Sequence, residues 1–438
     1  MRHQLIVNIA LLVAVSPALA QGGTPDRALT ARIDSMASRE AGAGWFSGIV
    51  LVARGEHILL QRPYGFADWE SRAPNSATTR FGVGSITKVL TEMVVDMLSA
   101  AGRLDQDAPV SRYLGSFPAG PNGGQVTIRH LLTHRSGVPW RVTTPIEETQ
   151  PLHPSDIVER VRAKGLLFEP GSRELYSSAG FSCLARVVEI IEGRPFDVVL
   201  RDRIFHPASM TGATGETGQE LMPARARPHR LGAVAETMAV LSAPYKDLSF
   251  LTGAGSLYAT ARDLLHFVRA LRNGVFGREG QRQVADSAGI EWRPFYGRIN
   301  GYEASVDYDP KHDLTFVLLS NLQSAATFQL RVQIKNVLLR RDLAPVRRPL
   351  PVTARFETPE SFTGPYGDPD DPIIVELVDG HLLRDGNEFY PSSGDSYYVP
   401  ATGAVMRFSR DSSGATDAML TDWPTGQKTR AARVQRRP

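Results

Sequence analysis

Apolar residues at Ile86, Val89, Leu90, Met93, Met97 and Leu98 recur at the spacing of a helix with one buried face. Gly102 is its stop signal. Leu29, Ile33 and Met36 mark a shorter amphipathic helix upstream. Residues 47–53 and 57–61 read as two strands joined at Arg54-Gly55-Glu56, and a polar loop over 68–79 leads to Phe81. From about 103 to 270 the pattern is mainly helical. Residues 156–164 form a helix with Ser155 placed to cap it, and 179–192 form another. Gly253-Ala254-Gly255-Ser256 opens a further helix that runs to Leu271. The stretch 222–245 has no clear period and reads as a long surface loop or a lid. Residues 301–308 and 314–320 form an antiparallel strand pair, and Leu330, Ile334, Val337 and Leu338 define a last helix.

Strands at both ends and helices between them predict one antiparallel sheet built from the two termini of this region. Helices flank the sheet, and a mainly helical lobe is inserted. This α+β body spans 21–344. A Pro- and Arg-rich linker covers 345–354, with Pro345, Arg347, Arg348, Pro349 and Pro351. Beyond it, short apolar runs broken by Gly turns predict a small all-β domain over 355–438, a barrel or a sandwich.

Composition adds an address. Residues 1–20 carry Arg2, an apolar core and an Ala-x-Ala-like end at Ala18-Leu19-Ala20, the pattern of a cleaved signal peptide. That core is too short to span a membrane, and the mature chain carries no transmembrane segment. The protein is therefore expected to be exported, periplasmic or secreted. The single Cys183 excludes an internal disulfide and lies in an apolar run, as a buried small hydrophobe does. The net charge of +3 is small for 438 residues, and basic and aromatic residues are not interleaved, so nucleic acid is not an expected partner. The basic tail, with Lys428, Arg430, Arg433, Arg436 and Arg437, reads as a solvated end.

Candidate chemistry sits at the start of the first strong helix, in Gly84-Ser85-Ile86-Thr87-Lys88. Lys88 is one turn beyond Ser85, so its amine can fold back to the hydroxyl. The helix start supplies free backbone N–H groups and the positive end of the dipole, which suit a developing oxyanion. Of 49 basic residues only 6 are Lys, and only Lys88 follows a Ser by three positions. A deprotonatable amine is a role that Arg cannot fill. His130 and His134 stand at i and i+4, but Leu131 occupies the place where a zinc hydrolase of the His-Glu-x-x-His kind has its Glu. Structural hydrogen bonding is the expectation there, with no metal.

In order along the chain come Phe81-Gly82-Val83-Gly84-Ser85-Ile86-Thr87-Lys88, the stretch from Ile128 to Gly137, Phe168-Glu169-Pro170-Gly171, Tyr176-Ser177-Ser178, the stretch from Ala254 to Thr260, and Leu318-Leu319-Ser320-Asn321. With these the sequence resembles the serine beta-lactamase-related family: class C beta-lactamases, D-alanyl-D-alanine carboxypeptidases and esterase-like penicillin-recognising hydrolases. The resemblance runs from about Trp45 to Arg341. It implies a beta-lactamase-like fold and an acyl-enzyme on Ser85, with Lys88 and Tyr176 moving protons and no metal or organic cofactor. It implies a small-molecule or short-peptide substrate, and the oligomeric state is left open.

Two motifs depart from the family pattern. Ser178 stands where the family has the Asn of Tyr-x-Asn. Phe295-Tyr296-Gly297 stands where it has Lys-Thr-Gly or His-x-Gly. Gly297 is kept, and Arg298 is implied to give an oxyanion N–H from its backbone. Arg293 and Arg298 are the candidate replacements for the lost cation, with a solvated guanidinium favoured for each. With both recognition positions altered, an ester or small amide is the first expectation. A D-peptide carboxypeptidase with weak beta-lactam hydrolysis is the alternative. A binding or sensor protein that acylates slowly or not at all is a third reading.

Overall fold

A computed structural model describes residues 24–216, 221–234, 237–277, 293–341, 359–369, 371–378, 381–384, 387–392, 396–423 and 426–434. The expected signal peptide over 1–20 and the expected linker over 345–354 lie outside the described residues. No helix among those described is long and apolar enough to cross a membrane.

The main sheet joins the two ends of the α+β body, as the sequence pattern predicts. Strands β1 (Gly48–Arg54) and β2 (His57–Tyr64) come from the N-terminal side. Strands β5 (Arg293–Ile299), β6 (Tyr302–Asp309) and β7 (Leu314–Ser320) come from the far side. Their spatial order is β5-β6-β7-β1-β2, antiparallel throughout. The central β7 is buried from end to end, and β1 up to Arg54, because helices cover both faces. Val50, Val52, Phe316 and Leu318 face α1 (Thr24–Gly42) and α6 (Ala325–Leu338). Ile49, Leu51, Val317 and Leu319 face the larger core shared with α2 (Ile86–Ala100), α4 (Ser178–Glu192) and α5 (Ala261–Arg272).

From 359 onward the described residues form two antiparallel sheets, of four and five strands. They share one small core that includes Phe362, Tyr366, Phe389 and Met406. This β region packs back onto the α+β body: Ala325 N–H donates to Pro400 O at 2.8 Å, Arg230 pairs with Glu388 at 3.0 Å, and Arg173 pairs with Asp368 at 2.7 Å.

Three local expectations are corrected. The stretch 222–245 is no lid: it holds an antiparallel hairpin, β3 (His229–Val234) and β4 (Thr237–Ser242), and β3 also pairs in parallel with Leu322–Gln323. Helix α3 (Pro154–Lys164) is capped by His153, whose Nδ1 accepts the Ser155 N–H at 3.3 Å while Asp156 bonds back to the His153 N–H at 2.8 Å. Finally, Gly253 to Ser256 does not open a helix. A strand, Leu257–Ala259, intervenes and pairs with Phe81–Gly82, and Thr260 then caps α5 through a box with Asp263. That strand fixes the approach to Ser85, since Val83 N–H donates to Leu257 O at 2.9 Å.

Candidate active site

Ser85 immediately precedes α2. A serine at a helix start ordinarily turns its hydroxyl onto the N–H two or three residues on. Here the Ser85 side chain makes no such bond. Its Oγ lies 2.7 Å from Tyr176 Oη and 3.3 Å from Lys88 Nζ. The hydroxyl is thus held between a phenol and an amine.

Lys88 is buried, 7% exposed, on the first turn of α2. Its amine reaches Ala254 O at 2.9 Å and Ser178 Oγ at 3.3 Å. It sits over the rings of Tyr176 and Phe181, 4.8 and 5.6 Å from their centroids. No carboxylate among the described residues lies within ion-pair distance of it. Burial without a counter-charge disfavours the ammonium and brings Lys88 down to about 7 from the ordinary 10.5.

Tyr176 comes from the turn before α4. Its ring is 43% exposed at the cleft mouth, while its hydroxyl faces inward to Ser85. Burial of that end raises its pKa, and the bond from Ser85 partly offsets the rise. At neutral pH it is a phenol, able to accept one proton and give another. Ser177 caps α4 by accepting the Gly180 N–H at 3.0 Å, which leaves Ser178 free to face Lys88. Replacing Tyr176 with Phe keeps the ring and removes the relay. Turnover of an activated ester is expected to fall by roughly 10²-fold or more, measured as kcat at saturating ester.

His134 is a part of the site that residue-by-residue reasoning did not place there. It adopts φ +55, just past a short helix. Its ring stacks on Tyr176 with centroids 4.4 Å apart, and its Nδ1 accepts the Ser177 N–H at 3.1 Å. Burial and the neighbouring Lys88 lower its pKa to about 4, so the ring is neutral and positions the Tyr176 turn. His130 has a separate task, accepting the Thr127 N–H in the cap of that short helix. The two histidines therefore bond to backbone in different places, in line with the structural reading of the pair.

The third motif lies on β5, beside Ser85. A Cβ on Gly297 would sit 2.0 Å from Val83 O and 2.7 Å from Ser85 N. One on Gly84, at φ +52, would sit 2.8 Å from Arg298 N. Two glycines thus allow strand and turn to touch, and Ser85 and Arg298 line the same cleft. Phe295 is buried, 6% exposed, and its ring packs edge-on against Phe267 of α5. The place of the family's cation is thus apolar here. The Arg298 side chain is exposed, consistent with a solvated guanidinium, and the Arg293 side chain lies outside the described residues.

The beta-lactamase family model matches residues 33–337, most of the chain. The chain belongs to the beta-lactamase family of serine hydrolases. A Bacillus subtilis (strain 168) protein named for penicillin binding, PbpX, is 32% identical over 293 residues, which is 64% of this chain and 72% of that protein. Esterase EstB of Burkholderia gladioli is 31% identical over 320 residues, 64% of this chain and 81% of the esterase. Among solved structures, D-amino acid amidase from Ochrobactrum anthropi SV3 superposes with a TM-score of 0.62 at 21% identity, over 72% of this chain and 99% of the amidase. Within this beta-lactamase-family frame, the described geometry brings Ser85, Lys88, Tyr176, Ser178, Gly297 and Arg298 into one cleft. Phe295 lines that cleft without supplying charge.

Proposed function

We propose that this chain is an exported serine hydrolase that cleaves esters, and secondarily small amides, through an acyl-enzyme on Ser85. The observation that carries this reading is the Ser85 hydroxyl, withdrawn from helix capping and set 2.7 Å from a phenol and 3.3 Å from a buried amine. In the first half-reaction, Ser85 Oγ forms a bond to the substrate carbonyl carbon. Its proton leaves toward Lys88 and Tyr176, and the negative oxygen takes the backbone N–H groups of Ser85 and Arg298. The carbonyl–oxygen bond then breaks, and Tyr176 returns a proton to the departing alkoxide. Water repeats the sequence on the acyl-enzyme, with Lys88 and Tyr176 accepting its proton and Ser85 Oγ leaving. Every proton is accounted for by these side chains and water.

The preference for esters rests on two positions. Ser178 offers one hydroxyl where an Asn side chain would offer both a donor and an acceptor, so it cannot bracket a substrate amide. Phe295 offers no charge for a substrate carboxylate on its side of the cleft. The similarity to EstB favours the same reading. The similarities to PbpX and to D-amino acid amidase keep D-peptide and D-amino-acid amide substrates as the second reading. The leader pattern over 1–20 supports export.

A panel of p-nitrophenyl acetate, D-phenylalanine amide, a D-Ala-D-Ala peptide and a cephalosporin tests the proposal, with Ser85→Ala as blank. The ester is expected to be turned over at least about tenfold faster than the others, as kcat/KM, and not at all by Ser85→Ala. Preferential cleavage of the D-peptide sinks the esterase reading. An ester rate unchanged in Ser85→Ala sinks the mechanism.

A further inference from the structure

The cleft over Ser85 has two arms that share Ser85, Lys88, Tyr176 and Arg298. One arm is bordered by Val89, Phe295 and Tyr296 and presents no cation beyond the shared residues. The other holds about 710 Å³ of empty space, counting its open mouth, and has an apolar floor that includes Val142, Ile157, Phe250 and Leu251. Two cations, Arg141 and Lys246, also line it.

These cations come from segments about a hundred residues apart and meet on one carboxylate. Glu148 is fully buried. Its Oε1 forms an ion pair with Arg141, 2.9 Å from Nε, and accepts from Thr143 Oγ1 at 2.9 Å, and its Oε2 accepts from Lys246 Nζ at 2.7 Å. The backbone adds a clasp, with Asp247 N–H donating to Glu148 O at 2.8 Å. One buried carboxylate thus fixes two cations, and the set keeps an excess positive charge.

Neighbouring charges do not cancel that excess by direct pairing. Glu147 is engaged by Arg160 and Thr144, and Asp247 accepts the Ser249 N–H and makes no ion pair with either cation. Lys164 donates to Arg141 O and adds to the positive side. Arg141 approaches Glu148 through Nε. No described group accepts from its two terminal nitrogens, and its guanidinium lies 5.1 Å from the Trp140 ring centroid. A guanidinium with free donors, held rigid over an aromatic face, is prepared for a carboxylate.

We propose that Arg141 and Lys246 bind a carboxylate on the substrate, at the end of an apolar stem that runs from the scissile carbonyl along Phe250 and Leu251. The substrate class is then an ester or amide whose acyl or leaving group ends in an acid. The arm opposite Phe295 supplies the charge that position 295 lacks. This rests on the hydrolase reading of Ser85 and specifies its substrate. Glu148 and Thr143 are positioning residues: they hold the two cations and touch no substrate.

Two matched ester pairs test it. Mono-p-nitrophenyl glutarate against p-nitrophenyl butyrate places the charge on the acyl side. 4-Acetoxybenzoate against 4-acetoxybenzamide places it on the leaving group. The wild type is expected to favour the anionic member of at least one pair by about tenfold or more in kcat/KM, less so at high salt. Lys246→Met and Arg141→Met are each expected to lose about tenfold on that anionic ester and less than about twofold on its neutral partner, the loss falling mainly on KM. The neutral rate also reports that each variant is folded. Equal losses on both members of a pair mean that the cluster only pins its two segments together, and overturn the proposal. So does turnover with no charge preference in either pair. Absence of turnover of all four esters, with no fluorophosphonate adduct on Ser85, overturns the hydrolase reading and this proposal together.

Discussion

Replacing Lys88 with methionine is expected to slow acylation of Ser85 by roughly 10²–10⁴-fold while leaving the protein folded. Methionine matches the length and apolar stem of the lysine and removes the amine. The site around Lys88 is already built for a neutral group: two ring faces, two hydroxyls and one carbonyl, with no carboxylate partner among the described residues. Holding an ammonium there is costly, and its pKa of about 7 is the sign of that cost. In the unfolded chain the same amine titrates near its ordinary 10.5. Between those values the unfolded state binds more protons, so the stability of the wild type rises with pH from about 7 toward 10.5. Below about 7 both states are charged, and the penalty is present in full. The methionine variant is therefore expected to melt above the wild type at pH 6, with the gap closing as pH approaches 10.5. Thermal unfolding read beside the acylation rate separates a lost base from a lost fold.

The same number fixes the activity profile. Neutral Lys88 is the working form in the proposed mechanism, so kcat/KM for a neutral ester is expected to rise through about pH 7 and then level. His134, at about 4, stays neutral across that range and supplies no inflection. Tyr176 is raised by burial, so no falling limb is expected below about pH 10. One other nearby group titrates at about 7. Glu303 is buried on β6, paired with Arg298 of β5, and accepts from Tyr296 Oη at 3.1 Å. In Glu303→Gln the inflection is expected to persist. Its disappearance there would reassign the titration to Glu303 on β6.

The second large effect is expected at Gly297. Alanine there places a methyl 2.0 Å from Val83 O and 2.7 Å from Ser85 N, closer than atoms can stand. Neither partner yields easily, because Val83 is bonded to Leu257 O and Gly84 itself lies against Arg298 N. The strand must move away from the Ser85 turn, and the Ser85 and Arg298 N–H groups proposed to hold the oxyanion separate. Loss of one such donor costs about 10²–10³-fold in kcat. Gly297→Ala is expected to lose at least that, with KM for a neutral ester nearly unchanged. Unchanged kcat would place the oxyanion elsewhere.

Much of this was legible in the sequence, for identifiable reasons. The period of α2 and the continuous apolar runs of β1 and β7 follow from burial against neighbours on both faces, and burial leaves a pattern. Ser85 and Lys88 share one helical turn, so their meeting is local. Other features depend on contacts between distant parts of the chain. The β3–β4 hairpin has no clean alternation, since Gly232 lies against Tyr390 of the C-terminal β region and Arg230 pairs with Glu388 there. His153 caps α3 in place of Ser155 because Pro154 already occupies the first helical position, and the cap must precede it. His134 reaches Tyr176 through a left-handed residue outside any periodic element. Arg141 and Lys246 become neighbours only through Glu148.

The central claim is that Ser85 is a nucleophile made ready by Lys88. Its most direct measurement is the rate at which a fluorophosphonate modifies the protein, followed by intact mass across pH 5–9 and mapped by peptide. The account predicts a single phosphonyl adduct on the peptide containing Ser85. Its rate should rise through about pH 7 in the wild type and lose that rise in Lys88→Met. An adduct on another residue, or a pH profile identical in wild type and Lys88→Met, would contradict it.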